Sequence, residues 1–126
     1  ANLKKDVLFA GEVSNEELYN LYFAAKALVF PSVCEGFGLP IIEAQERNTI
    51  VICSDIPIFR EVAGEAGAFF VAPRNAEQWQ EKILDAYNMH EDDEKKFLAE
   101  AKKNPLRFDE NRITEQWEEL YQSLLA

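Results

Sequence analysis

The sequence predicts an α/β protein built on a small open parallel sheet flanked by helices. Three observations carry that expectation. First, Ala27-Leu28-Val29-Phe30, Thr49–Ser54 and Ala68–Val71 are short apolar runs without polar alternation, as in strands buried on both faces. Second, stretches with apolar residues at helical spacing separate them. Third, a glycine-bearing loop links the first run to a helix start at Pro40.

Taken in order, Asp6–Val13 reads as a strand ending near Gly11. Ser14 with Glu17 forms the capping-box pattern of a helix start. Leu18, Leu21, Tyr22 and Ala25 then recur on one helical face. The strand Ala27–Phe30 should stop at Pro31, which has no N–H for a ladder. A helix over Leu39–Arg47 leads to the β-branched strand Thr49–Ser54. Asp55–Val62 reads as a loop and short helix, and Ala68–Val71 as a strand closed by Pro73. Glu77–Tyr87 is helical, with Trp79, Ile83 and Ala86 on one face. The alternating charges of Glu91–Lys103 predict a solvent-facing helix that ends before Pro105. In the last helix, Phe108–Leu125, Ile113, Trp117, Leu120, Tyr121 and Leu124 form a stripe. The stripe is either core or a docking face.

Composition narrows the function. The 126 residues suffice for one domain, 1–126, and 48% are apolar, as in globular chains. A net charge of −10 without a basic run speaks against nucleic acid as a partner. It also disfavours tight docking on anionic lipid. Two cysteines without metal spacing fit reduced thiols in the cytoplasm, with Cys34 and Cys53 as small fillers. No apolar run is long enough for a transmembrane segment, and no signal peptide is visible. His90, the single histidine, has no second ligand or nucleophile nearby and is expected at the surface.

The stretch Pro31–Ala44 carries the chemistry. Gly36 and Gly38 admit close approaches that a Cβ would block. Free N–H groups at the helix start point beyond the strand end, where phosphate or anionic oxygen binds. Two carboxylates flank that place, Glu35 in the loop and Glu43 in the expected first helical turn. A carboxylate repels phosphate but accepts hydrogen bonds from neighbouring hydroxyls. Donor N–H groups beside carboxylates therefore suit a ligand with both phosphate and sugar diols, such as a nucleotide sugar. Alternatively Glu43 complements the helix dipole and Glu35 is a solvated loop charge. On spacing alone the two stand level.

The residues themselves tip the balance. Glu35-Gly36-Phe37-Gly38-Leu39-Pro40-Ile41-Ile42-Glu43 resembles the E-x7-E signature of retaining GT-B glycosyltransferases of the group 1, or family 4, type. Pro31-Ser32 before it and Glu43-Ala44 at its end agree with that pattern. The likeness extends from Val7 to Leu124, although Glu110 stands where the family usually has Trp. It implies a Rossmann-like donor-binding lobe and a hexosyltransferase that uses a UDP- or GDP-sugar, with no cofactor and no metal. By the same likeness Glu35 is the catalytic carboxylate. Gly36, Phe37, Gly38 and Leu39 line the donor, Glu43 takes the ribose, and Gly11 and Val13 lie near the base.

The likeness covers the C-terminal lobe without its first two strands and their "GR…KG" Arg and Lys. Arg60 and Lys26 are the nearest cations in sequence, and neither is an evident replacement. In the family order 3-2-1-4-5-6, the missing strands would lie between Val7–Val13 and Leu28–Phe30. Three outcomes follow: a fragment that needs the N-terminal acceptor lobe and strands, self-association through open sheet edges, or re-docking of the Val7–Val13 strand beside Leu28–Phe30. The chain alone is expected not to turn over. The full-length enzyme is expected in the cytoplasm, with a peripheral place at the inner membrane face left open. A non-catalytic excised or engineered α/β scaffold is the main alternative, and a GT-B-like epimerase a weaker one.

Overall fold

The computed structural model describes residues 5–125. Three parallel strands form one sheet in the order β1 (Ala27–Phe30), β2 (Ile50–Ser54), β3 (Phe69–Val71). The register pairs Leu28 with Val51 and Phe30 with Cys53, then Cys53 with Phe70 and Ser54 with Val71. The α/β expectation holds, with helices on both faces.

β2 is buried along its whole length, and its residues alternate between two cores. Val51 and Cys53 face α1 (Asn15–Ala24), α2 (Leu39–Glu46) and α3 (Pro57–Ala63) through Tyr22, Ile41, Phe59 and Val62. Ile50 and Ile52 face α4 (Ala76–Tyr87) and α5 (Glu91–Ala101) through Trp79, Ala86, Phe97 and Leu98. The helix starts follow local chemistry. The Ser14 hydroxyl accepts from the Glu17 N–H at 3.2 Å, while the Glu17 carboxylate accepts from the Ser14 N–H at 2.8 Å. Asn75 caps α4 by accepting from the Gln78 N–H.

Four expectations change. Asp6–Val13 forms no strand, and Leu8 and Phe9 are about nine-tenths exposed. A strand needs a ladder partner, and the free edge of β1 pairs with no described residue. β1 is not buried on both faces: it is the sheet margin, and Val29 is 41% exposed. The α5 helix is not wholly solvent-facing. Ala101 is buried, and Phe97 stacks on Phe69 with ring centroids 4.8 Å apart. Finally, the stripe of α6 (Glu110–Leu125) is not core, since none of that helix is buried. A 3-10 turn, Pro105–Phe108, precedes α6 and packs against α2. His90 is exposed, as expected.

Candidate functional site

The candidate site is the rim at the carboxyl end of β1. Pro31 closes the strand, and the loop that follows is held by its own side chains. The Ser32 hydroxyl donates to Glu35 Oε1 at 2.8 Å. Glu35, Gly36 and Cys34 are exposed there.

Gly38 makes the turn into α2. It is buried, its φ is +105°, and it caps the helix. A Cβ at this position would meet Phe59 Cε1 at 2.8 Å. Phe59, from α3, stacks in turn on Phe30 at the end of β1 (5.1 Å). The helix start is thus pressed onto the strand end by a contact that only glycine permits. At Gly36 nothing lies within 4 Å of the Cβ direction, so no neighbour in the fold requires a glycine there.

The left-handed cap starts α2 at Leu39, one residue before Pro40. Glu43 therefore falls in the second turn, not the first, and does not sit at the helix amino end. That removes the dipole explanation, because the dipole effect is confined to the first turn. Instead Glu43 Oε2 accepts from the Tyr22 hydroxyl at 3.1 Å. Burial pushes the Tyr22 hydroxyl up to about 12, and the Glu43 charge beside it adds to the rise. The Leu39 N–H has no backbone acceptor among the described residues, and Leu39 is exposed. Phe37 meets Phe108 edge-on at 5.4 Å, tying the loop to the 3-10 turn.

Gly11 and Val13 stand apart from this cluster. Gly11 is exposed with φ +68°. Val13 lines a shallow hollow of about 340 Å³ with Ala10 and, from α1, Glu17, Asn20 and Leu21. Among the described residues no hydrogen bond ties either to the Glu35–Glu43 segment. The rim is open rather than enclosed. The larger hollows, about 980 Å³ beside Trp79 and 740 Å³ beside Leu106, are not lined by Glu35 or Glu43.

The nearby cations are mostly committed. Arg60 donates twice to Asp55 (2.6 and 2.8 Å) and once to Glu65 (3.3 Å). The Arg60 hydrogen bonds hold the Asp55 carboxyl below the usual carboxylate range. Lys26 pairs with Glu94 just before β1, at the amino end of the sheet. Both cations are thus engaged in ion pairs within the chain. Arg74, which the sequence did not single out, borders Val33 in a hollow of about 490 Å³. It has no ionic partner among the described residues. No cluster of three or more potential metal ligands occurs among the described residues.

Residues 1–104 match the family described as glycosyl transferases group 1. The chain belongs to that family. Its fold agrees. Sucrose-phosphate synthase from Thermosynechococcus elongatus superposes with a TM-score of 0.76 at 28% identity, over 98% of this chain and 31% of that one. The O-antigen chain mannosyltransferase RfbU of Salmonella typhimurium is 53% identical over 81 residues, 64% of this chain and 23% of its own length. The serotype-specific mannosyltransferase WbdA of Escherichia coli is 40% identical over 90 residues, 70% of this chain and 11% of its own. The chain thus spans less than a quarter of either of these two relatives.

For this group 1 glycosyltransferase chain, the matched span contains the whole Glu35–Ala44 string and stops before α6. Sequence reasoning placed Tyr22 only on an apolar helix face and missed its contact with Glu43. No spacing rule links residues 21 positions apart in different helices. Phe108 and Arg74 were missed for the same reason. No helix among the described residues is long and apolar enough to cross a membrane.

Proposed function

We propose that the chain supplies the donor side of a glycosyl transfer. A sugar moves from a nucleotide-diphosphate sugar to an acceptor with retention of anomeric configuration. The observation that carries this is the Gly38 turn. It brings an open helix start, with the free Leu39 N–H, beside a loop that presents Glu35. The transferred sugar lies against Glu35 and the backbone of Gly36, Phe37 and Gly38. Leu39 donates to the pyrophosphate, and Glu43 accepts from the ribose hydroxyls. Val13 and Gly11 approach the base from α1's side.

Catalysis of this kind rests on stabilising charge on the departing diphosphate. The rim offers N–H groups but commits Arg60 and Lys26 elsewhere. The chain alone therefore binds its donor weakly and does not turn over, and the acceptor and further cations come from the rest of a longer enzyme. Those committed cations also favour a second reading, a non-catalytic fragment. The mannosyltransferase relatives make a mannose donor the one to try first. The free thiols of Cys34 and Cys53 fit work in the cytoplasm.

A backbone NMR titration with GDP-mannose and UDP-glucose tests the proposal. Shifts centred on residues 35–43 are expected, and the stronger ligand sets the donor class. No shifts at millimolar ligand in a folded sample would leave the non-catalytic reading.

A further inference from the structure

We propose that Tyr22 is a positioning residue that fixes the Glu43 carboxylate for a ribose diol. The inference rests on the ribose role given to Glu43 above and adds the group that makes that carboxylate a rigid acceptor.

The geometry is specific. Tyr22 lies near the end of α1 and is only 7% exposed, with its ring in the core beside Ile41, Ile42 and Ala44. Its backbone carbonyl accepts from the Thr49 hydroxyl at 2.6 Å, which pins α1 to the start of β2. Both ends of the residue are therefore held, so the hydroxyl has a fixed place. It donates its proton to Glu43 Oε2. Among the described residues Oε1 takes no hydrogen bond from a protein side chain, and Glu43 is only partly buried.

One oxygen is thus anchored while the other stays open. A free glutamate side chain would lose rotamer freedom on capturing two hydroxyls. Tyr22 removes that loss before the ligand arrives. A phenol does so without adding charge, so the carboxylate keeps the negative charge that a diol's hydroxyls seek. A lysine or arginine there would neutralise it. A competing explanation is that a buried tyrosine hydroxyl simply finds a partner. Phenylalanine fills the same volume, so the two explanations separate cleanly.

The experiment compares binding of GDP and UDP with their 2′,3′-dideoxy counterparts. It uses the unchanged chain, Tyr22→Phe, Glu43→Gln and the double variant. The unchanged chain should prefer the ribonucleotide. Tyr22→Phe should lower ribonucleotide affinity about 2- to 10-fold, the cost of immobilising one long side chain, and leave dideoxynucleotide affinity unchanged. The double variant should bind no worse than Glu43→Gln alone. Full preference retained in Tyr22→Phe overturns the positioning role while the ribose assignment stands. An equal fall for both nucleotide types assigns Tyr22 to structure only and also overturns it. Absence of preference in the unchanged chain, or its survival in Glu43→Gln, removes the ribose assignment and this inference with it.

Discussion

Gln45 and Asn104, 59 positions apart, share a buried hydrogen bond of 2.7 Å from the Asn104 amide to Gln45 Oε1. Gln45 follows the signature carboxylate by two residues on α2. Its own amide donates to the Ala63 and Gly67 carbonyls at 2.8 and 3.0 Å. Asn104 also donates to the Val62 carbonyl and accepts from Arg107. The site helix, the end of α3 and the segment after α5 are thus joined by one polar knot whose amide groups are satisfied. Gly67 makes room for it, since a Cβ there would run into the Ala63 carbonyl and the Gln45 amide.

That knot predicts a large loss for a small change. Asn104→Ala leaves two buried acceptors, Gln45 Oε1 and the Val62 carbonyl, without a donor. Each unsatisfied group costs about 1–3 kcal/mol, so a destabilisation of about 2–6 kcal/mol is expected in urea unfolding. The neighbouring exposed Lys103→Ala should stay within about 0.5 kcal/mol of the unchanged chain. A cost below that of the control would remove the knot from the stability account.

Gly38→Ala tests the turn that builds the rim. The substitution forces an L side chain to φ +105° and drives its Cβ against the Phe59 ring. Such strain costs about 1–3 kcal/mol, and the ring clash adds to it. Gly36→Ala, with open space around it, should cost far less in stability. Thermal melts of the two variants side by side give the comparison. Equal losses would contradict the assigned roles.

Local signals made much of the fold legible. The Ser14–Glu17 box, the stop at Pro31 and the period of α4 depend on neighbours in sequence, and each element formed where expected. What failed was pairwise. The segment over Val7–Val13 has the composition of a strand, but a strand exists only by its partner. The Glu43 environment turned on a one-residue shift of the helix start, set by the backbone of Gly38 rather than by Pro40. Tyr22, Phe108 and Arg74 join the rim through tertiary contacts that no spacing encodes. The α6 stripe was readable as a helix face, yet periodicity says nothing of what covers it.

The raised Tyr22 hydroxyl gives an alkaline signature. Its folded value of about 12 lies above the ordinary tyrosine value of about 10. Between those values the folded chain holds a proton that the unfolded chain has released. Its contribution to stability is therefore complete below about pH 10 and is lost as pH rises towards about 12. Of four tyrosines, one should ionise last in an absorbance titration. Glu43→Gln, which removes the adjacent charge, should bring that step down, though not to the ordinary value, because burial is the larger cause. An unmoved step would separate Tyr22 from Glu43.

Glu43→Ala addresses the ribose assignment directly. Glu43 is half-buried at the edge of the core and, among the described residues, its one protein donor is Tyr22, so truncation strands a single hydroxyl. Loss of a hydrogen bond to a charged acceptor costs about 1.5–3 kcal/mol, so nucleotide-sugar affinity should fall roughly 10- to 100-fold. Stability should fall less steeply, because the freed Tyr22 hydroxyl lies next to a newly opened, water-accessible space. Glu35→Ala makes the contrast. Glu35 accepts from Ser32 in an exposed loop, so its loss should spare affinity for the nucleotide without its sugar and weaken only the nucleotide sugar. Titrating both variants with GDP and GDP-mannose separates the two carboxylates. The same affinity pattern in both variants would mean that they do not divide the donor between ribose and transferred sugar.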